Sequence, residues 1–147
     1  MTGFRLETGG RVDRGQPVQF SFDGKTYQGL AGDTLASALL ANGVMLFGRS
    51  FKYHRPRGVM AAGSEEPNAL ISVDRGAGRF TPNLRATGVE IYPGLKAVSQ
   101  NRWPSLKADF GAINDRLGMF FPAGFYNKTF MWPRSFWDKF YEPAIRK

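Results

Sequence analysis

Gln16-Pro-Val-Gln-Phe-Ser-Phe-Asp-Gly-Lys-Thr-Tyr-Gln-Gly-Leu30, followed at once by Gly32-Asp-Thr-Leu-Ala-Ser-Ala-Leu-Leu-Ala-Asn-Gly43, is the stretch that decides the fold. Val18, Phe20 and Phe22 alternate with Gln19 and Ser21, the period of a strand with one face buried. Asp23-Gly24 suits a two-residue turn with positive φ, so the first segment predicts a β-hairpin. In the second segment Leu35, Ala38 and Leu39 share a helical stripe. Asp33 stands where an N-cap is expected and Gly43 where a left-handed stop is expected. The spacing predicts a short capped helix.

Downstream, 69–73 (Ala-Leu-Ile-Ser-Val) and 89–92 (Val-Glu-Ile-Tyr) read as strands, and 95–99 as a third, with Gly and Pro between them. A hairpin, a helix crossing back over it and further strands in one small sheet make an α+β, two-layer β-grasp arrangement. Beyond Asn101 the texture changes: Trp and Phe crowd among Pro104, Pro122, Pro133 and Pro143, which rules out one long helix. Short helices are expected around 106–117 and from Ser135, as N-cap, to Tyr141. The chain thus divides into residues 1–100, a β-grasp unit, and 101–147, an aromatic, Pro-rich, extended or helical C-terminal arm suited to lie across another surface, the alternative being that its rings wrap back over the domain's own sheet.

The chain of 147 residues has room for one core. It contains no Cys, which excludes disulfides, a cysteine nucleophile and an iron–sulfur cluster held by thiolates. With one His, neither a His-rich metal site nor a Ser/His triad can be assembled, so catalysis by this segment alone is not expected. No apolar run reaches membrane-spanning length and the first residues lack the apolar core of a signal peptide, which points to a cytoplasmic protein with no membrane partner.

The net charge of +8 attracts polyanions whatever the fold. Its densest source is Gly48-Arg-Ser-Phe-Lys-Tyr-His-Arg-Pro-Arg-Gly58, where Arg49, Lys52, Arg55 and Arg57 are interleaved with Phe51 and Tyr53. Such a loop can grip phosphate and stack on a planar ring. These four cations are therefore the candidate cofactor-binding residues, facing a phosphate or a neighbouring domain; the bland alternative pairs them with acids such as Glu65 and Glu66. Pro56 and Gly58 hold the loop in shape. His54 is read as a hydrogen-bonding structural residue, not a base, and Glu65-Glu66 before Pro67 as a turn, not an acid/base pair. No catalytic residue and no metal ligand is expected.

Four segments, 32–43, 48–58, Glu65-Glu-Pro-Asn-Ala69, and Phe121-Pro-Ala-Gly-Phe-Tyr126 with Lys128-Thr-Phe-Met-Trp-Pro133, closely resemble the N-terminal region of the α subunits of heterotetrameric sarcosine oxidases. The resemblance runs essentially end to end. It implies a 2Fe-2S ferredoxin-like β-grasp module without its cluster. Cluster-bearing relatives place cysteines on the loop after the helix, where this chain has Met60, Ala61, Ala62, Gly63 and Ser64.

The resemblance further implies a parent flavoenzyme that demethylates sarcosine to glycine, reduces O₂ to hydrogen peroxide and passes the one-carbon unit to tetrahydrofolate. Its cofactors would be FAD, FMN and NAD, with zinc in a partner subunit, none of them bound by this segment alone. The implied partners are the rest of the α subunit and the β, γ and δ subunits. The alternative is a basic nucleic-acid-binding module, motivated by charge and by the ring-interleaved loop; the favoured reading has no nucleic acid among its partners.

Overall fold

The computed structural model describes residues 3–118 and 134–141. Strand β1 (Asp13–Phe22) pairs antiparallel with β2 (Lys25–Ala31) through a turn in which Asp23 and Gly24 have φ of 51° and 76°. Two consecutive positive φ values match the twist of the flanking strands, which is why Asp-Gly serves here. Helix α1 (Leu35–Ala41) follows, and Leu35, Ala36, Ala38 and Leu39 are its buried residues. It ends as expected at Gly43, with φ of 75°; the Gly43 and Val44 N–H groups donate back to Leu40 and Leu39. This Schellman arrangement satisfies carbonyls that the last turn leaves open.

The cap at the other end corrects the sequence reading. Thr34, not Asp33, is the N-cap, its Oγ1 accepting from Ser37 N at 3.2 Å. Asp33 is drawn inward instead: its carboxylate accepts from Arg5 Nη2 at 2.5 Å, Leu30 N at 2.9 Å and the Ser37 hydroxyl at 2.8 Å. Burial pushes the Asp33 carboxyl up, but these hydrogen bonds and the Arg5 charge outweigh it and hold it below its ordinary range.

After a two-residue ladder between β3 (Gly48–Arg49) and β4 (Pro56–Arg57), the main sheet is completed by β5 (Leu70–Asp74), β6 (Phe80–Arg85) and β7 (Lys96–Ser99). The order is β2-β1-β7-β5-β6, with β7 parallel to β1 and antiparallel to β5. The β-grasp expectation holds. The segment 89–92 is not a strand: Glu90 makes one isolated bridge to Thr34, and Ile91 N donates to the Asp33 carbonyl. Its apolar residues cover the helix end rather than extend the sheet. Strand β6 went unread because Pro82 and Asn83, the latter at φ 58°, interrupt its alternation.

One face of the sheet is covered by α1. Phe20, Phe22, Phe47, Leu35, Leu39, Ile71, Val73 and Leu95 fill the space between them, each large side chain contributing about 1.5–3 kcal/mol on removal from water. Beyond the sheet, the expected helix at 106–117 is shorter: a 3₁₀ turn at Phe110–Ala112 runs into α2 (Ile113–Arg116). Helical turns also occupy Arg134–Phe136 and Trp137–Tyr141, so Ser135 lies inside the first of them and does not cap it. The 121–126 and 128–133 motifs lie outside the described residues. Among the described residues no helix is long and apolar enough to cross a membrane.

Candidate functional site

The basic loop is held from outside by acids that its own sequence lacks. Asp109 lies at its centre, with a fully buried side chain: Oδ2 is 2.7 Å from His54 Nδ1 and 3.3 Å from Arg49 Nε. Oδ1 accepts from the backbone N–H groups of Trp103 at 2.8 Å and Gly111 at 3.3 Å. Burial pushes this carboxyl up, but the Trp103 N–H, His54 and the Gly111 N–H together hold it below its ordinary range. Being ionised, Asp109 can only accept, so His54 Nδ1 carries the proton.

Each candidate cation is placed differently. Arg49 is almost wholly engaged: Nε and Nη2 donate to the Leu106 carbonyl at 2.9 and 2.6 Å, and Nη1 to the His54 carbonyl at 2.7 Å. Arg55 lies over the Tyr53 ring, 4.9 Å from its centroid, and donates to Asp115 Oδ1 at 2.6 Å. Lys52 lies over the same ring, with Nζ 5.0 Å from the centroid. Arg57 is half-buried and donates through Nη1 to Asn68 Oδ1 at 2.9 Å; among the described residues no carboxylate pairs with it.

Arg49 and Arg57 line one open groove of about 1020 Å³, together with Asn68, Asn83, Gln100 and Arg102. Lys52 and Arg55 do not reach it. The four cations expected to act together are therefore split between a polar groove and a Tyr53 stack. Arg102, which sequence reading passed over, enters the groove with its charge balanced by Asp23 at 2.9 Å. Among the described residues the acids that pair with the loop are Asp109 and Asp115, not Glu65 or Glu66.

Glu66 has another task. Its carboxylate is fully buried and accepts from four backbone N–H groups: Met60 and Ala61, both at 2.7 Å, on Oε2, and Asn68 at 2.7 Å and Ala69 at 2.9 Å on Oε1. Burial pushes the acid up, yet the N–H bonds, those of Ala61 and Ala69 foremost, outweigh it and lower its pKa to about 2. Sequence reading took Glu65-Glu66 for a turn. The available signal was the run 61–64 of Ala, Ala, Gly and Ser, whose side chains offer little to the backbone donors around them, beside an acid that can reach inward.

A mixed β-grasp sheet whose post-helix loop wraps its N–H groups around a buried anion defines a ferredoxin-type module. The 2Fe-2S iron-sulfur cluster binding domain family matches residues 15–102, and the chain belongs to that family. The residues present do not fit the cluster that gives the family its description: the sequence has no Cys to supply thiolates, and the N–H groups around the loop are taken by Glu66.

Among individual proteins the chain is similar to the sarcosine oxidase subunit alpha of Rhizobium meliloti (strain 1021), with 63% identity over 147 residues, covering 100% of this chain and 15% of that protein. It is 43% identical over 92 residues to the sarcosine oxidase subunit alpha of Corynebacterium sp. (strain U-96), covering 61% of this chain and 10% of that one. The chain thus spans about one seventh of the length of the first of these relatives. A crystal structure of L-proline dehydrogenase from P. horikoshii aligns with a TM-score of 0.49 and 25% identity, over 62% of this chain and 17% of that one.

Proposed function

We propose that this chain is an N-terminal, non-catalytic module of a sarcosine oxidase-like flavoenzyme, contributing assembly and the surroundings of a cofactor. The observation that carries the reading is identity of 63% sustained across all 147 residues. Similarity over a whole module, rather than at scattered motifs, is what a shared structural role requires. The parent reaction would be oxidation of sarcosine to glycine, with O₂ reduced to hydrogen peroxide and the one-carbon unit passed to tetrahydrofolate. FAD, FMN and NAD, a zinc-bearing partner subunit, and β, γ and δ subunits belong to that proposal.

Two features of the surface support a role in assembly. Trp103 and Phe110 pack ring against ring, 5.2 Å between centroids, yet remain 67% and 66% exposed. A paired aromatic surface of this kind is what a further domain or subunit covers. Arg57 is a half-buried cation in a polar groove, hydrogen-bonded to the neutral Asn68 amide, so an anionic group entering the groove would find a donor already oriented. Residues 1–100 then act as the β-grasp unit and 101–147 as the arm toward the rest of the protein.

The nucleic-acid reading is disfavoured by the same geometry. Arg49, Arg55 and Arg102 each have a carboxylate of this chain beside them, which lowers the positive charge they present to a phosphate backbone. The test is Arg57→Ala in the full-length protein with its partner subunits. Lower flavin or NAD content, or a loosened complex, is expected; unchanged cofactor content and assembly would refute the role given to the groove.

A further inference from the structure

The family is described by a cluster that this chain has no thiolates to hold, yet the loop keeps an inward-facing set of backbone donors. Converging N–H groups form an anion-binding concavity, the device by which protein backbones cradle phosphates and iron–sulfur clusters alike. Here the N–H groups of Met60, Ala61, Asn68 and Ala69 converge on one point, and the two oxygens of Glu66 occupy it, two donors to each. Among the described residues no other carboxylate accepts four backbone N–H bonds. Without an acceptor, these donors would each cost the free energy of an unmade hydrogen bond, so the loop requires acceptor atoms at that point, and four converging N–H dipoles favour an anion there.

We infer that the 60–69 loop is an anion site of carboxylate dimensions which the protein fills from within, Glu66 acting as a tethered, redox-inactive replacement for an external anionic group. The module thereby keeps the charge balance of the loop with no metal to acquire and no electron to carry. Glu66 is a positioning residue: through its four acceptor bonds it sets the path of the chain between β4 and β5, and its own carbonyl accepts from Arg85 Nε at 3.1 Å, tying the loop to β6. This inference stands apart from the sarcosine oxidase reading, since it concerns the loop's own hydrogen bonds.

The experiment is hydrogen–deuterium exchange of peptides spanning residues 58–70 in the full-length protein, with sodium formate as the probe anion. In Glu66→Ala, exchange of this segment should rise at least about tenfold, and formate at high concentration should slow it again by filling the vacated site. Glu66→Gln keeps the volume, presents an NH₂ group to two of the donors and should also exchange faster, with no response to formate. Wild type should not respond either. Should E66A fail to fold, Glu66→Gln alone decides, because exchange as slow as wild type in that variant would show that the negative charge is dispensable. An E66A protein that folds but ignores formate would equally overturn the inference.

Discussion

His54 Nδ1 and Asp109 Oδ2 lie 2.7 Å apart, although 55 residues separate them in the chain. This contact joins the basic loop to the segment after the last strand, and Arg49 shares the same carboxylate at 3.3 Å. One buried acid therefore sets the position of the Arg49 and His54 side chains and the backbone turn at Trp103 and Gly111.

Asp109→Asn should therefore be among the costly substitutions. It removes the charge facing Arg49, whose side chain is 10% exposed, and turns an acceptor toward His54 into a group that can also donate. Loss of one partner from a buried ion pair costs about 3–5 kcal/mol. Denaturant titration of both proteins reads that loss; a change below about 1 kcal/mol would place the pair among ordinary surface contacts.

Gly111→Ala tests the same junction from the other side. A Cβ there would meet His54 Nδ1 at 2.3 Å and Cε1 at 2.4 Å, so the ring must leave its place beside Asp109. A cost of about 1–3 kcal/mol is expected. Combined with His54→Ala, which vacates the space, the two changes should be clearly non-additive in a double-mutant cycle. Simple additivity would show that the ring is not what blocks the side chain.

Gly29 permits the approach of helix to sheet. On β2, a Cβ at this position would lie 2.5 Å from Ile91 Cδ1 and 2.9 Å from Ala38 Cβ. Gly29→Ala should force α1 and the 89–92 segment outward at a cost of about 1–3 kcal/mol, read as a lower denaturation midpoint. An unchanged midpoint would mean that the helix adjusts without loss of packing.

Acid should destabilise this module through its inward-facing carboxylates. Glu66 has a folded pKa of about 2 against an ordinary 4.5, and Asp33 and Asp109 are also lowered. A depressed folded pKa contributes stability that is fully present above the unfolded value and is lost as pH falls through the folded one. For Glu66 the loss runs from about pH 4.5 down to about 2. Denaturation midpoints measured across that range should fall steeply in wild type and less steeply in Glu66→Gln; parallel curves would show that Glu66 does not drive the acid response.

On the proposed assembly role, Trp103→Ala should weaken association with the rest of the protein more than it weakens the fold, because the ring is largely exposed and its partner Phe110 is on the same surface. Co-purification of the subunits measures the first effect and the thermal midpoint of the module the second. Intact association together with a lowered midpoint would assign the pair to local packing.

Period, turn and cap chemistry are local, and they made β1, β2, α1 and the strands within 69–73 and 95–99 legible from residues alone. Asp23-Gly24 can adopt the hairpin turn, and Gly43 the helix stop, whatever surrounds them. The absence of cysteine likewise settled the thiolate question without coordinates. Partner choice among charges is not local. Asp33 was available as a cap, but Arg5 and the Leu30 N–H drew its carboxylate inside. Glu66 looked like a turn residue until four N–H groups from both sides of it converged on its oxygens. The acids answering Arg49 and Arg55 came from positions 109 and 115. Pattern along the chain thus determined which elements form, because backbone torsion and burial period act over a few residues. Tertiary structure decided where each charge is spent, because a buried carboxylate takes whichever donors the fold brings within hydrogen-bonding distance.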